Sequence, residues 1–328
     1  SLGLVGSEMC IRDRSIGALA LSLVGCAGDK KAEKESGEKI KVGAIQYIEH
    51  VSLGNALRGF QDRLKEEGLD VEVDVENLQG DQALATTAPK KFQSDDYKLV
   101  YAISTPAAQG AKTALPNKNI IYSAVTDPVE AGLIESPDKI TNITGVNDAV
   151  SAKDQLESFL KIYPDVKTIG TIFSTNEVNS KVQVENLEKA CDELGLKLES
   201  VGINNINDIG QALSTITEKI DAYYALTDNT VASAGPILAE NLLKHKIPSL
   251  SAEEGQVSKG LLMSKGVDYY EHGRQAGEMA IKILKGEDIK NLQAEDNKTS
   301  KKKINGKTAE ALGLDLTNEN LNDAEILK

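Results

Sequence analysis

The chain has 328 residues, enough for about two domains and a sizeable buried core. Its formal net charge of −13 argues against a nucleic-acid partner, since phosphate binding needs clustered Lys and Arg, and suits a protein kept soluble beside an anionic surface. Of the three cysteines, Cys10 and Cys26 lie near the start and Cys191 stands alone in an amphipathic helix pattern, so no disulfide framework is expected and Cys191 reads as a small buried apolar side chain.

Residues 1–14 show no period and resemble adapter sequence, so they are set aside; Met9 offers an alternative start, with Arg12 and Arg14 as a basic n-region. The apolar run over 16–24 is shorter than the roughly 20 residues that span a bilayer. It closes as Leu21-Ser22-Leu23-Val24-Gly25-Cys26 and turns polar at once, with Asp29-Lys30-Lys31. This resembles the lipobox of bacterial lipoproteins, which implies cleavage before Cys26 and a diacylglycerol on its thiol. Residues 1–25 are then a leader and 26–38 a flexible, lipid-anchored tether.

From Ile40 the pattern alternates. A short apolar strand over 40–46 precedes Leu53, Leu57, Phe60 and Leu64 at helical spacing, stopped by Gly68. Strands follow at 71–75, 99–103, 120–125 and 141–146, with a helix over 81–92 and another opened by Pro106, where a missing N–H costs nothing. Helix 151–162 starts a second series: strand 168–173, helix 178–194, strand 197–202, helix 208–216, strand 222–226, helix 230–243 and strand 247–250. A strand at 261–264, a long helix over 269–284 and a late strand at 301–304 complete it.

Two successive series of strand–helix units predict an α/β protein of two doubly wound parallel-sheet lobes joined by a hinge. The expected lobes are 39–147 with 257–290, and 148–256 with 291–328. Ligands of such sheets sit beyond the carboxyl ends of the strands. The loops there hold Gln46, Tyr47, Glu49 and His50, then Thr105, then Thr126 and Asp127. In the second half they hold Ser174 and Asn176, then Thr227, Asp228 and Asn229, then Glu253, with Ser180 one turn into a helix. Most of these residues also suit helix N-caps, and capping alone explains any single loop. His245 reads as structural near a helix C-terminus, and His272 is expected on a solvent face. There is no GxGxxG after the first strand, no GxxxxGK[ST], no GxSxG and no HExxH, so no dinucleotide, P-loop, esterase or zincin reading stands.

Residues from about 40 to 315 resemble the ABC-importer substrate-binding proteins of the tryptophan/tyrosine type, with the type I periplasmic-binding-protein fold. The stretches that carry this are Gln46-Tyr47-Ile48-Glu49-His50, Thr105-Pro106-Ala107-Ala108-Gln109, Ala124-Val125-Thr126-Asp127-Pro128-Val129, Asn142-Ile143-Thr144-Gly145-Val146, Thr227-Asp228-Asn229-Thr230 and Gly266-Val267-Asp268-Tyr269-Tyr270-Glu271-His272-Gly273-Arg274-Gln275. The chain departs from the family where a Pro and an Asp are usual, at Val51 and Gly54.

The resemblance implies a lipid-anchored, monomeric receptor outside the cytoplasmic membrane. It would deliver a small solute, an amino acid and perhaps an aromatic one, to a permease and its ATPase, with no cofactor, no metal and no catalysis. For an amino acid, Thr105 and Thr126 would take the carboxylate and Asp228 or Glu49 the ammonium. Asn176, Ser180 and Asn229 would close over the ligand, and Tyr47 or Tyr101 would stack on an aromatic ring. A ligand-sensing ectodomain and a doubly wound enzyme are the alternatives; gene neighbours separate the first, a turnover assay the second.

Overall fold

The structure, a computed structural model, describes residues 39–328. The leader, the tether and the lipid site expected at Cys26 lie outside the described residues. Among those described, no helix is long and apolar enough to cross a membrane.

Strands β1 (Ile40–Gln46), β2 (Val71–Asn77), β3 (Tyr97–Ile103), β4 (Ile120–Val125) and β5 (Ile143–Asn147) form the first sheet, with helices α1 (Val51–Glu66), α2 (Gln82–Thr87) and α3 (Thr105–Ala114) between them. The chain then crosses into a second lobe. Helix α4 (Ala152–Leu160) leads to β6 (Thr168–Ser174), α5 (Val178–Leu194), β7 (Lys197–Ile203), α6 (Ile209–Ile216) and β8 (Ala222–Ala225). Next come α7 (Asn229–Ser233), α8 (Gly235–Lys244), β9 (Ser249–Glu253), α9 (Gly255–Ser258) and β10 (Met263–Val267). Helix α10 (Tyr269–Leu284) and β11 (Glu295–Asp296) return to the first lobe; β12 (Ser300–Asn305), α11 (Gly306–Leu312) and β13 (Glu325–Leu327) finish in the second.

The sheets run β11-β5-β4-β3-β1-β2 and β13-β12-β10-β9-β8-β6-β7. All pairings are parallel except β10 with β12. Strand order reverses between β1 and β3 in one sheet and between β6 and β8 in the other, and such switch points open a crevice at the strand ends. The central strands β4, β8 and β9 are buried along their whole length, as parallel strands covered on both faces must be.

Lobe membership differs from the expected division. Strand β10 pairs with β9 and β12, so residues 263–267 belong to the second sheet, and the chain recrosses only at Asp268. Strand β11 pairs with β5, so the last crossing falls at 297–299 rather than before 291. Two expected helices are broken. The run over 81–92 becomes α2 and a 3₁₀ turn starting with Ala88-Pro89, and the run over 230–243 becomes α7 and α8, divided at Ala234-Gly235-Pro236. In each case a proline lacks the N–H that a continuous helix needs.

Helix α10 packs along α1. The two backbones touch through glycines: a Cβ on Gly59 would lie 2.0 Å from the Tyr270 carbonyl oxygen, and one on Gly273 would lie 2.0 Å from that of Ala56. Beneath them Phe60 stacks on Tyr101, ring centroids 3.9 Å apart, inside the first core. Tyr101 is therefore a core ring whose hydroxyl shares a 2.5 Å bond with Ser123, not a ligand-stacking surface. The second lobe has one apolar core on each face of its sheet, and Cys191 is buried in one of them.

Candidate functional site

The switch points face each other. The loop after β1 carries His50, and its Nε2 lies 3.4 Å from Oδ1 of Asn229, the first residue of α7 in the opposite lobe. A second bond crosses from Gln183 Nε2 on α5 to Thr126 Oγ1 after β4, also at 3.4 Å. The same Gln183 accepts from the Thr227 N–H at 3.0 Å, so it ties the two loops together.

His50 and Asn229 both line a small chamber of about 10 Å³, room for roughly one water. His50, Leu53, Ala124, Asp148 and Tyr269 line one side, and Thr227, Asp228, Asn229, Ala232 and Glu253 the other. A larger cleft of about 160 Å³ lies towards β2 and β7, between Tyr47, Ile48 and Gln82 on one lobe and Ser174, Asn176, Asn205 and Thr230 on the other. Amides, hydroxyls and apolar groups line it, and neither space is lined by a Lys or Arg.

The chamber is acidic. Asp228 is 1% exposed and caps α7; its carboxylate accepts from the N–H groups of Val231 (2.8 Å) and Ser174 (2.6 Å) and from the Ser180 hydroxyl (2.6 Å). Burial, reinforced by the nearby Glu177 carboxylate, nonetheless pushes its pKa up to about 7. Glu177 is also buried; it accepts from the N–H groups of Asn229 and Thr230 and from the Thr230 hydroxyl, which ties β6 to α7. Glu253, at the end of β9, is raised to about 7 by burial, and its Oε1 has no hydrogen-bond partner. Asp148 is raised by burial too: the Tyr269 hydroxyl donates to Oδ2 at 2.5 Å, while Oδ1 is unpartnered. Burial lowers the His50 imidazole to about 4, so it is neutral and carries its proton on Nε2 towards Asn229. Among the described residues no group of three or more His, Cys, Asp or Glu is arranged to hold a metal ion.

The structure sorts the expected site residues. His50, Thr227, Asp228, Asn229 and Glu253 line the chamber, and Tyr47, Ser174 and Asn176 the outer cleft. Thr126 bridges the lobes, and Ser180 stands behind Asp228. Gln46 bonds the Ile48 carbonyl from a buried position and lines neither space. Thr105 is buried in the first turn of α3, its Oγ1 unpartnered. Glu49 is exposed, and Asp127 caps its own turn through the N–H groups of Val129 and Glu130, each at 2.9 Å. Of the two expected ammonium acceptors, Asp228 lines the chamber and Glu49 does not.

Sequence reasoning missed Asp148, Glu177, Gln183 and Tyr269. Asp148 follows β5 just as the chosen loops follow their strands, and that signal was available. Gln183 sits a full turn inside α5, and only its spacing from Asn179 and Ser180 hints at a shared face.

Two interleaved lobes with switch points meeting over a small acidic chamber define a clamshell receptor for a small molecule. Residues 41–327 match the family described as ABC transporter substrate binding protein, and the chain belongs to that family. It works with an ABC transporter as the binding component and is not an enzyme. A tyrosine-binding protein of Clostridioides difficile is 36% identical over 311 residues, covering 91% of this chain and 90% of that one. A crystal structure of an ABC domain from Streptococcus pneumoniae in complex with L-Trp superposes with a TM-score of 0.84 at 33% identity, covering 89% of this chain and 100% of that one. The ligand-free, open structure of a substrate-binding protein with adhesive properties from Clostridium difficile scores 0.68 at 36% identity, covering 88% and 99%. The more identical chain thus superposes less well on the present arrangement. The direct bonds across the cleft identify the present arrangement as closed. The fold is that of type I periplasmic binding proteins, as expected.

Proposed function

We propose that this chain captures an aromatic amino acid, L-tyrosine or L-tryptophan, outside the cytoplasmic membrane. It would be held there as a monomer by lipid on Cys26, and would hand the solute to a permease driven by its ATPase. The observation that carries the amino-acid reading is the chamber itself: Asp148, Asp228 and Glu253 line one space with no Lys or Arg in its lining. Buried charge needs a partner, and the ammonium of an amino acid supplies it. Asp228 is the principal acceptor. Thr105 and Thr126 serve the carboxylate, Thr105 through its buried, unpartnered hydroxyl in the first turn of the ten-residue helix α3. The ring extends into the outer cleft beside Tyr47, with Asn176 and Ser174 opposite. The names of the C. difficile and S. pneumoniae relatives agree with this choice of ligand.

A thermal-shift screen of the chain against the twenty amino acids tests it. A ligand at one hundred times its Kd stabilises by about 2.7 kcal/mol, and L-tyrosine or L-tryptophan should give the largest rise in Tm. A rise with aliphatic amino acids alone would reassign the ligand, and no rise with any of them would reject the amino-acid reading.

A further inference from the structure

The chain passes between the lobes three times, at Asp148, at Asp268 and at 297–299, and these passages are bonded to one another. The Asn297 N–H donates to the Asn147 carbonyl at 3.0 Å, and the Asp268 N–H to that of Thr299 at 3.4 Å. At their meeting point lies His272, 0% exposed, near the start of α10. Its Nε2 accepts the Ala124 N–H at 3.0 Å, and its Nδ1 lies 3.1 Å from Oδ1 of Asn297. An imidazole that accepts at Nε2 carries its proton on Nδ1 and donates it to Asn297. Its ring packs edge-on against Tyr269, whose hydroxyl holds Asp148. The charged groups facing it are Asp148 and Asp268, and burial keeps the ring neutral against their pull.

Ala124 is held in an unusual conformation. Its φ is +55°, a left-handed backbone that a residue with a Cβ rarely adopts. Such strain persists only where neighbours enforce it, and here the His272 bond is on the strained residue's own N–H. Ala124 lines the chamber, and two residues on Thr126 receives Gln183 from the other lobe. A continuous set of contacts therefore runs from the third passage through Asn297, His272, Ala124 and Thr126 to the second lobe.

We infer that His272 is a positioning residue of the hinge, whose neutral imidazole fixes the Ala124–Thr126 loop in the conformation that lets the lobes shut. The inference rests on the receptor reading for its link to ligand affinity, but its effect on lobe angle is independent of ligand identity.

The test uses the full chain with His272→Leu, His272→Gln, Gln183→Ala and the His272→Leu/Gln183→Ala pair. With L-tyrosine and L-tryptophan as calorimetric probes, His272→Leu should weaken binding tenfold or more. His272→Gln, which keeps an acceptor for the Ala124 N–H, should recover most of the loss. The double variant should bind no worse than the weaker single one, because both act through Thr126. Unchanged affinity or additive losses would overturn the inference. Should the wild type bind neither amino acid, the ligand reading fails and small-angle scattering without ligand still decides the hinge: a larger radius of gyration in His272→Leu supports it, and superimposable curves reject it. Should His272→Leu not fold, imidazole ¹⁵N shifts of the wild-type protein decide: the Nδ1–H tautomer at neutral pH is required, and an Nε2–H tautomer or an imidazolium overturns the role.

Discussion

His50 Nε2 and Asn229 Oδ1 meet at 3.4 Å across the cleft, and both residues line the acidic chamber. Asn229 turns its other amide atom to the buried carboxylate of Glu177, so its orientation is fixed from behind. A neutral hydrogen bond of this kind contributes about 0.5–1.5 kcal/mol. His50→Ala should therefore weaken ligand binding roughly two- to tenfold, mostly through faster dissociation, with little change in Tm. Stopped-flow dissociation rates check this, and an unchanged off-rate would remove the contact from any closing role.

Asp228 supports structure and ligand together. Three donors converge on it, so Asp228→Ala leaves the Ser174 and Val231 N–H groups and the Ser180 hydroxyl without an acceptor. A buried group left unsatisfied costs about 1–3 kcal/mol. The expected outcome is a fall in the denaturation midpoint together with a loss of affinity of at least tenfold. Asp228→Asn keeps an acceptor oxygen and should recover part of the stability but not the affinity. Equal recovery of both would show that its negative charge is not what binds the ligand.

The acids give the stability of the protein a defined pH slope. Asp228 and Glu253 are raised from 3.8 and 4.5 to about 7. Between about pH 4 and 7 the folded chain then holds more protons than the unfolded one, so these groups make stability fall as pH rises through that window and then level off. His50, lowered from 6.5 to about 4, acts in the opposite sense: its contribution is lost as pH falls from 6.5. Glu253→Gln should flatten the decline between pH 5 and 7 in denaturation measured without ligand. An ammonium ligand favours the ionised acids, so binding should release protons at pH 6–7, which calorimetry in buffers of different ionisation enthalpy measures directly.

The close approach of α1 and α10 leaves no room for a methyl group at Gly59 or Gly273. Alanine at either position should cost about 1–3 kcal/mol, as overpacking generally does. Urea titration provides the number, and a cost near zero would mean that the helices can separate without loss.

Cys26→Ser should move the protein from the membrane fraction to the soluble one. Retention in the membrane fraction would rule out the lipid on Cys26.

The central parallel strands were legible as short, nearly continuous apolar runs, as in Ile120–Val125 and Ala222–Ala225, and the edge strand Val71–Asn77 by its alternation. Strands β11 and β13 were not, since Glu295–Asp296 and Glu325–Leu327 are two and three residues long and sit at sheet edges with charged side chains. The division of the lobes was misread because nothing local in 263–267 says which sheet will take it; pairing is a long-range choice. His272 was misplaced on a solvent face although Tyr269, His272, Ala276, Met279 and Ile283 share one stripe of α10, all buried. Residue type outweighed spacing there, and spacing was the better guide. The candidate loops were found from strand ends alone, yet which of their side chains turn inward depends on the angle between the lobes. Glu49 and Glu253 look alike in sequence and end on opposite sides of that question.

The missing counter-charge around Asp148, Asp228 and Glu253 also bears on energy coupling. Shutting an unloaded clamshell brings three acids into one small compartment, where they must either repel one another or take up protons from solvent. Cargo removes that penalty by bringing its own positive end. Loading thereby tightens the shut shape relative to the vacant one, so filling and closing are thermodynamically linked.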